Sequence, residues 1–464
     1  MNRMRRSCSK GVLAATSGRQ ALASRRIFLA LAVRSGLASL SLVAAGCSGP
    51  SPDRRAVTSH DVKPSNRIAL GFIGTGSHGV AVNLRTFLAQ PDAQVVALCD
   101  VDERRLADAA EIVKQHDAAN TVSGASKGCH TTGDWREIIA REDIDAVVIS
   151  TPDHWHAIPA VAALKSGKDV LCEKPLALTV QEGRAISNAA TRYERVFQVG
   201  TPNRSRTAFL KACEIVRNGR LGKLQTIRVC LWRGHGENQT DLKPDAAPVP
   251  APKWFNYDMW LGQAPEAPYT PARCHFNFRY ILDYSGGNLT DFGAHFLDVA
   301  QWGNDTENTG PISVEGHGRF PEDGLYNVAT DWEITYQYAN GVTLLCQSGG
   351  YYVRFEGEGG WVQADNAHIE TSSPGLLAPT RPNELHLRTC PQGEQRDFLD
   401  CVKSRSATYA PAETGHRSIT LAHLGNISMR LGRKLAWNPD LEVFTNDEEA
   451  NRMLSRPMRS PWHL

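Results

Sequence analysis

The sequence predicts an α/β chain of two domains: an N-terminal doubly wound parallel sheet, then an α+β domain with a large, mostly antiparallel open sheet. Three observations carry this. Short apolar, β-branched runs alternate with helix-length segments up to about residue 200. Beyond about residue 222, longer strands joined by hairpin-like turns take over. And 464 residues are too many for one compact core.

The leader comes first and stands outside the fold. Within 1–47, Ser24-Arg25-Arg26-Ile27-Phe28-Leu29 follows the twin-arginine export pattern. The weakly apolar run behind it is broken by Arg34 and Gly36, and is too short and polar for a comfortable membrane span. Ala44-Ala45-Gly46-Cys47 resembles a lipoprotein cleavage box with Cys47 as the acylated residue; ordinary cleavage after Ala45 is the alternative. The expected location is periplasmic, reached by the twin-arginine route, with membrane contact only through the signal or a lipid anchor. Residues 48–65, rich in Pro, Ser and charge, read as a linker.

The first domain is expected over 66–200. A strand at 67–73 leads into a glycine turn and a helix to about residue 90, and a strand at 94–99 into a helix at 103–115. Strands at 145–150 and 169–172 flank a helix at 154–165, and a helix at 179–192 precedes a strand at 196–199. Residues 117–133, with their Gly, Ser and Thr content, read as an inserted loop. The second domain is expected over 201–440, with strands at 225–232, 328–338, 342–347 and 351–355, a turn at Asn340-Gly341 and a helix at 413–431. A Pro- and Trp-rich stretch at 234–271 lacks periodicity, as a segment rimming a pocket would. Residues 441–464 form a tail.

Composition narrows the function. Of 51 basic residues, ten lie in the first 55 positions, so the remainder is mildly acidic and forms no basic stripe. Nucleic-acid binding is not expected. The eleven cysteines include no C-x-x-C pair and no zinc-type spacing, so no metal is expected. Cys99, Cys172 and Cys230 sit in apolar runs and read as small buried hydrophobes, while some later cysteines could pair.

Three motifs carry chemistry. Gly74-Thr75-Gly76-Ser77-His78-Gly79 directly follows a strand and opens a helix. In such a turn the first glycine permits the bend, the second admits a pyrophosphate, and the third lets helix and strand pack closely. Asp100, 21 residues after Gly79, stands where an acid would bind the adenosine ribose. That favours NAD; Arg104 and Arg105 nearby leave NADP open. Thr151-Pro152-Asp153-His154-Trp155-His156 and Glu173-Lys174-Pro175 follow two further strands, at the edge where such sheets bind ligands. Proline after Lys174 holds that residue extended. Lastly, Asp291 and His295 in GGNLTDFGAH are four apart, so on a helix they share a face, where a carboxylate would raise the imidazole's basicity.

GFIGTGSHG, ISTPDHWHA, CEKP and GGNLTDFGAHFLD, in this order and spacing, resemble the glucose–fructose oxidoreductase / inositol dehydrogenase / rhizopine-catabolism (Gfo/Idh/MocA) family. The resemblance covers nearly all of 67–435. It implies a Rossmann domain, an oligomer-forming open-sheet domain, and oxidation or reduction of a hydroxyl on a sugar, cyclitol or related molecule. It makes His295 the general base that takes the hydroxyl proton as hydride leaves for nicotinamide C4. Lys174 would stabilise the alkoxide and Asp291 would orient both. Glu173, Pro152, His154 and His156 would border the nicotinamide, with Asn203 and Arg206 at the same pocket. His275, Arg279 and Tyr284 are candidates for sugar contacts. Outside the cytoplasm there is no free nicotinamide pool, so a tightly bound NAD is expected. Such an enzyme would couple oxidation of one sugar to reduction of another. The alternative is a redox-neutral glycoside hydrolase or lyase working through a transient keto-sugar. A non-catalytic carbohydrate-binding protein is a third reading, against which the complete Lys174/Asp291/His295 set stands.

Overall fold

Val, Ile, Leu and Phe fill the first domain's strands almost without interruption, as a parallel sheet covered by helices on both faces requires. A computed structural model describes residues 66–120, 128–233 and 244–464. The paired arginines, Cys47 and the 48–65 linker lie outside the described residues. β1 (Ile68–Ile73) enters the glycine turn and then α1, whose first turns, Gly79–Leu84, are wound as a π-helix before Arg85–Leu88 tightens to α. β2 (Ala93–Cys99), α2 (Glu103–Asn120), β3 (His130–Thr132) and α3 (Trp135–Ala140) follow. The half is completed by β4 (Ala146–Ile149), α4 (Ala157–Lys165), β5 (Asp169–Glu173), α5 (Val180–Arg192) and β6 (Phe197–Gly200). The sheet runs β3-β2-β1-β4-β5-β6, all parallel. Its order reverses between β1 and β4, which opens a crevice at their carboxyl ends.

α6 (Thr207–Arg217) leads to β7 (Leu224–Leu231), then α7 (Tyr257–Leu261), α8 (Asn288–Asp291) and α9 (Gly293–Gly303). Next come β8 (Ser313–Arg319), β9 (Asp331–Gln337), β10 (Thr343–Ser348), β11 (Tyr352–Gly357), β12 (Gly360–Ala364) and β13 (Ile369–Thr371). α10 (Glu394–Ser404), α11 (Ala412–Leu431), β14 (Leu435–Asn438), β15 (Val443–Phe444) and α12 (Glu448–Arg452) end the chain. The nine-stranded sheet has the order β13-β12-β11-β7-β10-β9-β8-β14-β15. Its pairs are antiparallel except β7 with β10. Gly341, at φ +87°, makes the turn from β9 to β10, and the turn is where the sequence places it.

Three expectations change, and one strand goes unforeseen. The 117–133 region is not simply an inserted loop: α2 runs on to Asn120, and β3 pairs with the end of β2. The strand expected from 328 starts only at Asp331, because Tyr326 and Val328 turn into an aromatic layer with Phe255, Trp260, Tyr280 and Tyr284. β8 escapes the sequence pattern because of Gly316 and Gly318. A Cβ there would lie 2.8 and 2.5 Å from Met429 of α11, so close helix packing demands glycine where a strand would carry side chains. Finally, 441–464 is not a loose tail: Phe444, Ala450 and Leu454 join the core, and Trp462 packs on Trp155 with ring centroids 4.9 Å apart. Upstream of it, Phe398, Leu399 and Cys401 of α10 join the core of β1 and α1. No described helix is long and apolar enough to cross a membrane. The nine described cysteines are free thiols, with Cys99, Cys172 and Cys230 buried as expected.

Candidate active site

The glycine turn has the shape its sequence requires. Gly74 sits at φ +93°, and a Cβ there would lie 2.7 Å from the Ser150 carbonyl, so only glycine passes. At Gly76 the nearest atom to a would-be Cβ is Arg105 Nη1, at 3.6 Å, so this side of the turn stays open. Ser77 and His78 are exposed where α1 begins, a helix N-terminus suited to phosphate. Asp100 Oδ2 accepts hydrogen bonds from the Thr75 amide at 2.7 Å and its hydroxyl at 3.1 Å, which holds the carboxylate at the mouth of the turn. Burial pushes this carboxyl above its usual range. Two buried polar atoms along the same edge, Thr151 Oγ1 and Asn203 Nδ2, have no partner among the described residues. An open glycine turn, an acid at the ribose position and unpaired polar atoms beyond it fit NAD. Arg105 Nε lies 3.4 Å from Asp102, and Arg104 stacks 4.0 Å from the Trp254 ring centroid.

At the end of β5, Glu173 and Lys174 diverge. Glu173 is tied to His78 Nε2 at 3.1 Å and to the amide of Asn83 at 2.8 Å. Burial alone would raise the Glu173 carboxyl, but His78, Asn83 and Lys174 together bring it down to about 2. His78 is raised in return, chiefly by Glu173. Lys174, joined to Pro175 by a cis bond, turns the other way, and its Nζ donates to Asp291 Oδ1 at 2.5 Å. Arg279 Nε donates to the other oxygen of Asp291 at 3.3 Å. Burial opposes the charge on Asp291, yet Lys174 and Arg279 overcome it and hold the carboxyl below the usual range.

His295 lies one turn beyond Asp291, across a break at Phe292 between α8 and α9. The two share a face as expected, but they do not pair: Asp291 is taken by Lys174 and Arg279. The expected rise in basicity therefore fails. Burial, then Lys174, push the His295 imidazole down to about 3, outweighing Asp291. The ring is neutral at ordinary pH. Its Nδ1 lies 3.5 Å from the Thr201 hydroxyl, and among the described residues its Nε2 has no partner.

Several expected contacts fall elsewhere. His156 is fully buried, with Nδ1 2.7 Å from the Pro175 carbonyl and Nε2 3.0 Å from that of Thr151. It ties the two motif loops together and does not face a ligand. His154, also fully buried, meets the Trp260 carbonyl at 2.9 Å, just after Pro152 starts its turn. Burial drives its imidazole down to about 3. Tyr284 is buried against His154 and Trp260, its hydroxyl 3.2 Å from Arg273, so it is core and no sugar contact. His275 lies beside Asp102 and Phe255, away from Lys174. Of the three upstream candidates, only Arg279 reaches the centre. Arg206 remains at its border, with Nη1 on the Asn366 carbonyl at 3.4 Å and Nε unpaired.

The sequence reading missed four groups. Asn83 links Glu173 to Gln395, whose amide donates to it at 2.9 Å; a lone Asn in the apolar run GVAVNL was the available signal. Glu394 accepts from Tyr409 at 3.0 Å, and burial followed by the charge of Glu173 raise it to about 7. Asp153 accepts from Ser285 at 2.5 Å, and burial first, then Asp291, raise it to about 7. Trp232 and Tyr351 stack at 4.2 Å and 12°, with Phe292 beside Trp232 at 4.7 Å. That panel borders Lys174, whose Nζ is 5.9 Å from the Phe292 ring centroid. A strand end and a hairpin bring these rings together, which no local pattern reveals.

Comparison with known proteins bears on the fold and the family. Residues 68–201 match the Gfo/Idh/MocA "oxidoreductase family, NAD-binding Rossmann fold", and 207–464 match its "C-terminal alpha/beta domain". The chain is 34% identical over 211 residues to a glycosyl hydrolase family 109 protein of Shewanella putrefaciens, covering 43% of this chain and 44% of that one. It is 32% identical over 181 residues to an inositol 2-dehydrogenase of Rubrobacter xylanophilus, covering 39% and 46%. The chain thus spans less than half the length of the curated relatives it matches. GenD2 from gentamicin A biosynthesis, solved with NAD, shares the fold with a TM-score of 0.59 at 21% identity, over 84% of this chain and 100% of that one. An aldose–aldose oxidoreductase from Caulobacter crescentus, solved with glycerol, gives 0.56 at 18% identity, over 80% and 99%. With both halves matched over a shared fold and an NAD-binding Rossmann domain, the chain belongs to the Gfo/Idh/MocA family of oxidoreductases.

Proposed function

We propose that the chain is an exported oxidoreductase acting on a hydroxyl carbon of a sugar, cyclitol or glycoside, with NAD as a resident cofactor. One observation carries this reading: at the sheet edge that holds the glycine turn, a Lys174–Asp291–Arg279 ion cluster lies beside a neutral His295. NAD, when bound, supplies the hydride acceptor or donor. The chain's own groups handle the proton and the oxygen. His295 Nε2, unpartnered, takes the hydroxyl proton of the substrate. Lys174 has three N–H donors and spends two on the Asp291 carboxylate and carbonyl. The third is available to an oxygen on which negative charge develops. Asp291, clamped from both sides, fixes the ammonium in place. The Trp232–Tyr351–Phe292 panel supports a sugar or cyclitol, whose C–H faces pack on aromatic rings. The twin-arginine pattern of Ser24 to Leu29 supports export, and the box ending at Cys47 a lipid anchor.

The test is a panel of sugars, cyclitols and glycosides presented to the purified protein, followed by nicotinamide absorbance. A change in absorbance together with a keto or aldehydic product supports the reading. Release of an aglycone with no lasting change in absorbance would replace it with redox-neutral glycoside cleavage.

A further inference from the structure

Residues 244–285 form an aromatic layer that reaches from the second domain onto the rim of the first. The contact is made by main chain. Asn256 N donates to Val101 O and Glu103 N to Trp254 O, each at 2.9 Å, and Asp102 and Phe255 form an antiparallel bridge. These partners follow Asp100 directly. The layer is also locked from behind: His154 and Trp155 both meet the Trp260 carbonyl at 2.9 Å, Gln263 donates to the His154 carbonyl, and Arg459 donates to Gly262 O at 2.8 Å.

What the contact leaves open is a flat, cationic pocket edge. Trp254 is half-buried and Arg104 exposed, with the guanidinium stacked over the indole. Arg105 reaches across the open side of Gly76. Asp102, buried at 4% exposure, orders both arginines, because its Oδ1 accepts their main-chain N–H groups at 3.0 and 3.2 Å. With Arg104 exposed and Trp254 only half-buried, the outer side of the stack faces solvent next to the Asp100 turn.

We propose that Arg104 and Trp254 form one wall of the adenine subsite, and that Arg105 meets the pyrophosphate over Gly76, so that a segment of the second domain retains the dinucleotide. This rests on the reading of the chain as an NAD-dependent enzyme. An adenine ring matches the stacked planes of indole and guanidinium. The pyrophosphate carries the charge that Arg105 answers. Because the wall is bonded to the rim on one side and to the aromatic layer on the other, release requires the bound groups to part from a fixed surface. That slows dissociation more than association.

The experiment loads the full exported protein with NADH and dilutes it into lactate dehydrogenase with pyruvate, which consumes every molecule released. Loss of NADH fluorescence then reports the dissociation rate without any turnover of the protein itself. Trp254→Ala is expected to release NADH about tenfold faster or more, and Arg104→Gln, at an exposed position, several-fold faster with the thermal midpoint unchanged. Trp254→Phe keeps most of the retention, since a ring remains to stack. Equal rates in the wild type, Trp254→Ala and Arg104→Gln would overturn the proposal. A wild type that binds no NADH would instead overturn the functional reading beneath it.

Discussion

The two edges of the six-stranded sheet are both dense in charge, yet they differ in what their charges do. The amino edge holds a cleft of about 810 Å³ lined by Arg67, Lys168, Asp169, Arg195 and Arg405 among others. There Arg405 grips Asp169 with two bonds of 2.6 and 3.0 Å, and Lys168 Nζ donates to the carbonyls of Arg141 and Ile144 at 2.6 and 3.0 Å. At the carboxyl edge His295 is kept neutral, Asp291 is over-stabilised as an anion, and Thr151 and Asn203 have unpaired atoms. Charge at the first edge closes the structure; at the second it is left for something else. Unmet hydrogen bonds and displaced ionisation at a topological switch point, not the mere presence of a cleft, point to chemistry.

Substitution can break this contrast. Lys174→Ala should lower turnover by about 10²–10³-fold while bound NAD is retained, because the lost donor acts on developing charge. His295→Asn should cost a comparable amount, about 10²–10⁴-fold, visible as kcat more than KM. At the other edge, Arg405→Ala leaves the buried Asp169 carboxylate with the Val196 amide but without its counter-charge. It should cost stability by about 1–3 kcal/mol in denaturant unfolding and leave kcat unchanged. An effect on kcat equal to that of Lys174→Ala would erase the distinction between the edges.

Acid sharpens it. His154 and His295 are both held near 3 in the fold against an ordinary value of 6.5, with burial the leading cause. The unfolded chain therefore takes up protons first as pH falls. Their contribution is whole above pH 6.5 and is lost toward 3. Asp153 and Glu394, raised to about 7, act in the opposite sense over the same interval, so the contrast is read between proteins: His154→Gln should lose less thermal stability than the wild type as pH falls from 6.5 to 5. The smallest expected effect is that of Tyr284→Phe, which removes only the hydroxyl bonded to Arg273. Its cost is about 0.5–1.5 kcal/mol of stability, with kinetics unchanged.

Much of this was legible in the chain before folding. The alternation of strands and helices gave the parallel sheet, and the positions of Lys174 and of Asp291 with His295 gave the centre, because each motif sits directly after a strand or at a helix start. What the sequence could not convey was partnership. Asp291 had a histidine four residues away, and only the fold brings Lys174 from β5 and Arg279 from the aromatic layer to claim both its oxygens. His154 and His156 looked like ligands, yet both imidazoles tie loops through backbone carbonyls, and of their ring nitrogens only His154 Nδ1 is left without a partner among the described residues. Trp254 and Arg104 lie 150 positions apart and share no local pattern. β8 was hidden by glycines whose need is set by Met429, more than a hundred residues on.

The most direct test of the carboxyl-edge centre is a single-turnover measurement on the natively exported protein, isolated with its dinucleotide and mixed with active members of the sugar and glycoside panel. The wild type should show a change in nicotinamide absorbance stoichiometric with bound cofactor. Lys174→Ala, carrying the same cofactor, should show a change slowed by about 10²-fold or more. Equal rates in the two proteins, or a wild type that neither carries nor binds NAD, would contradict the account.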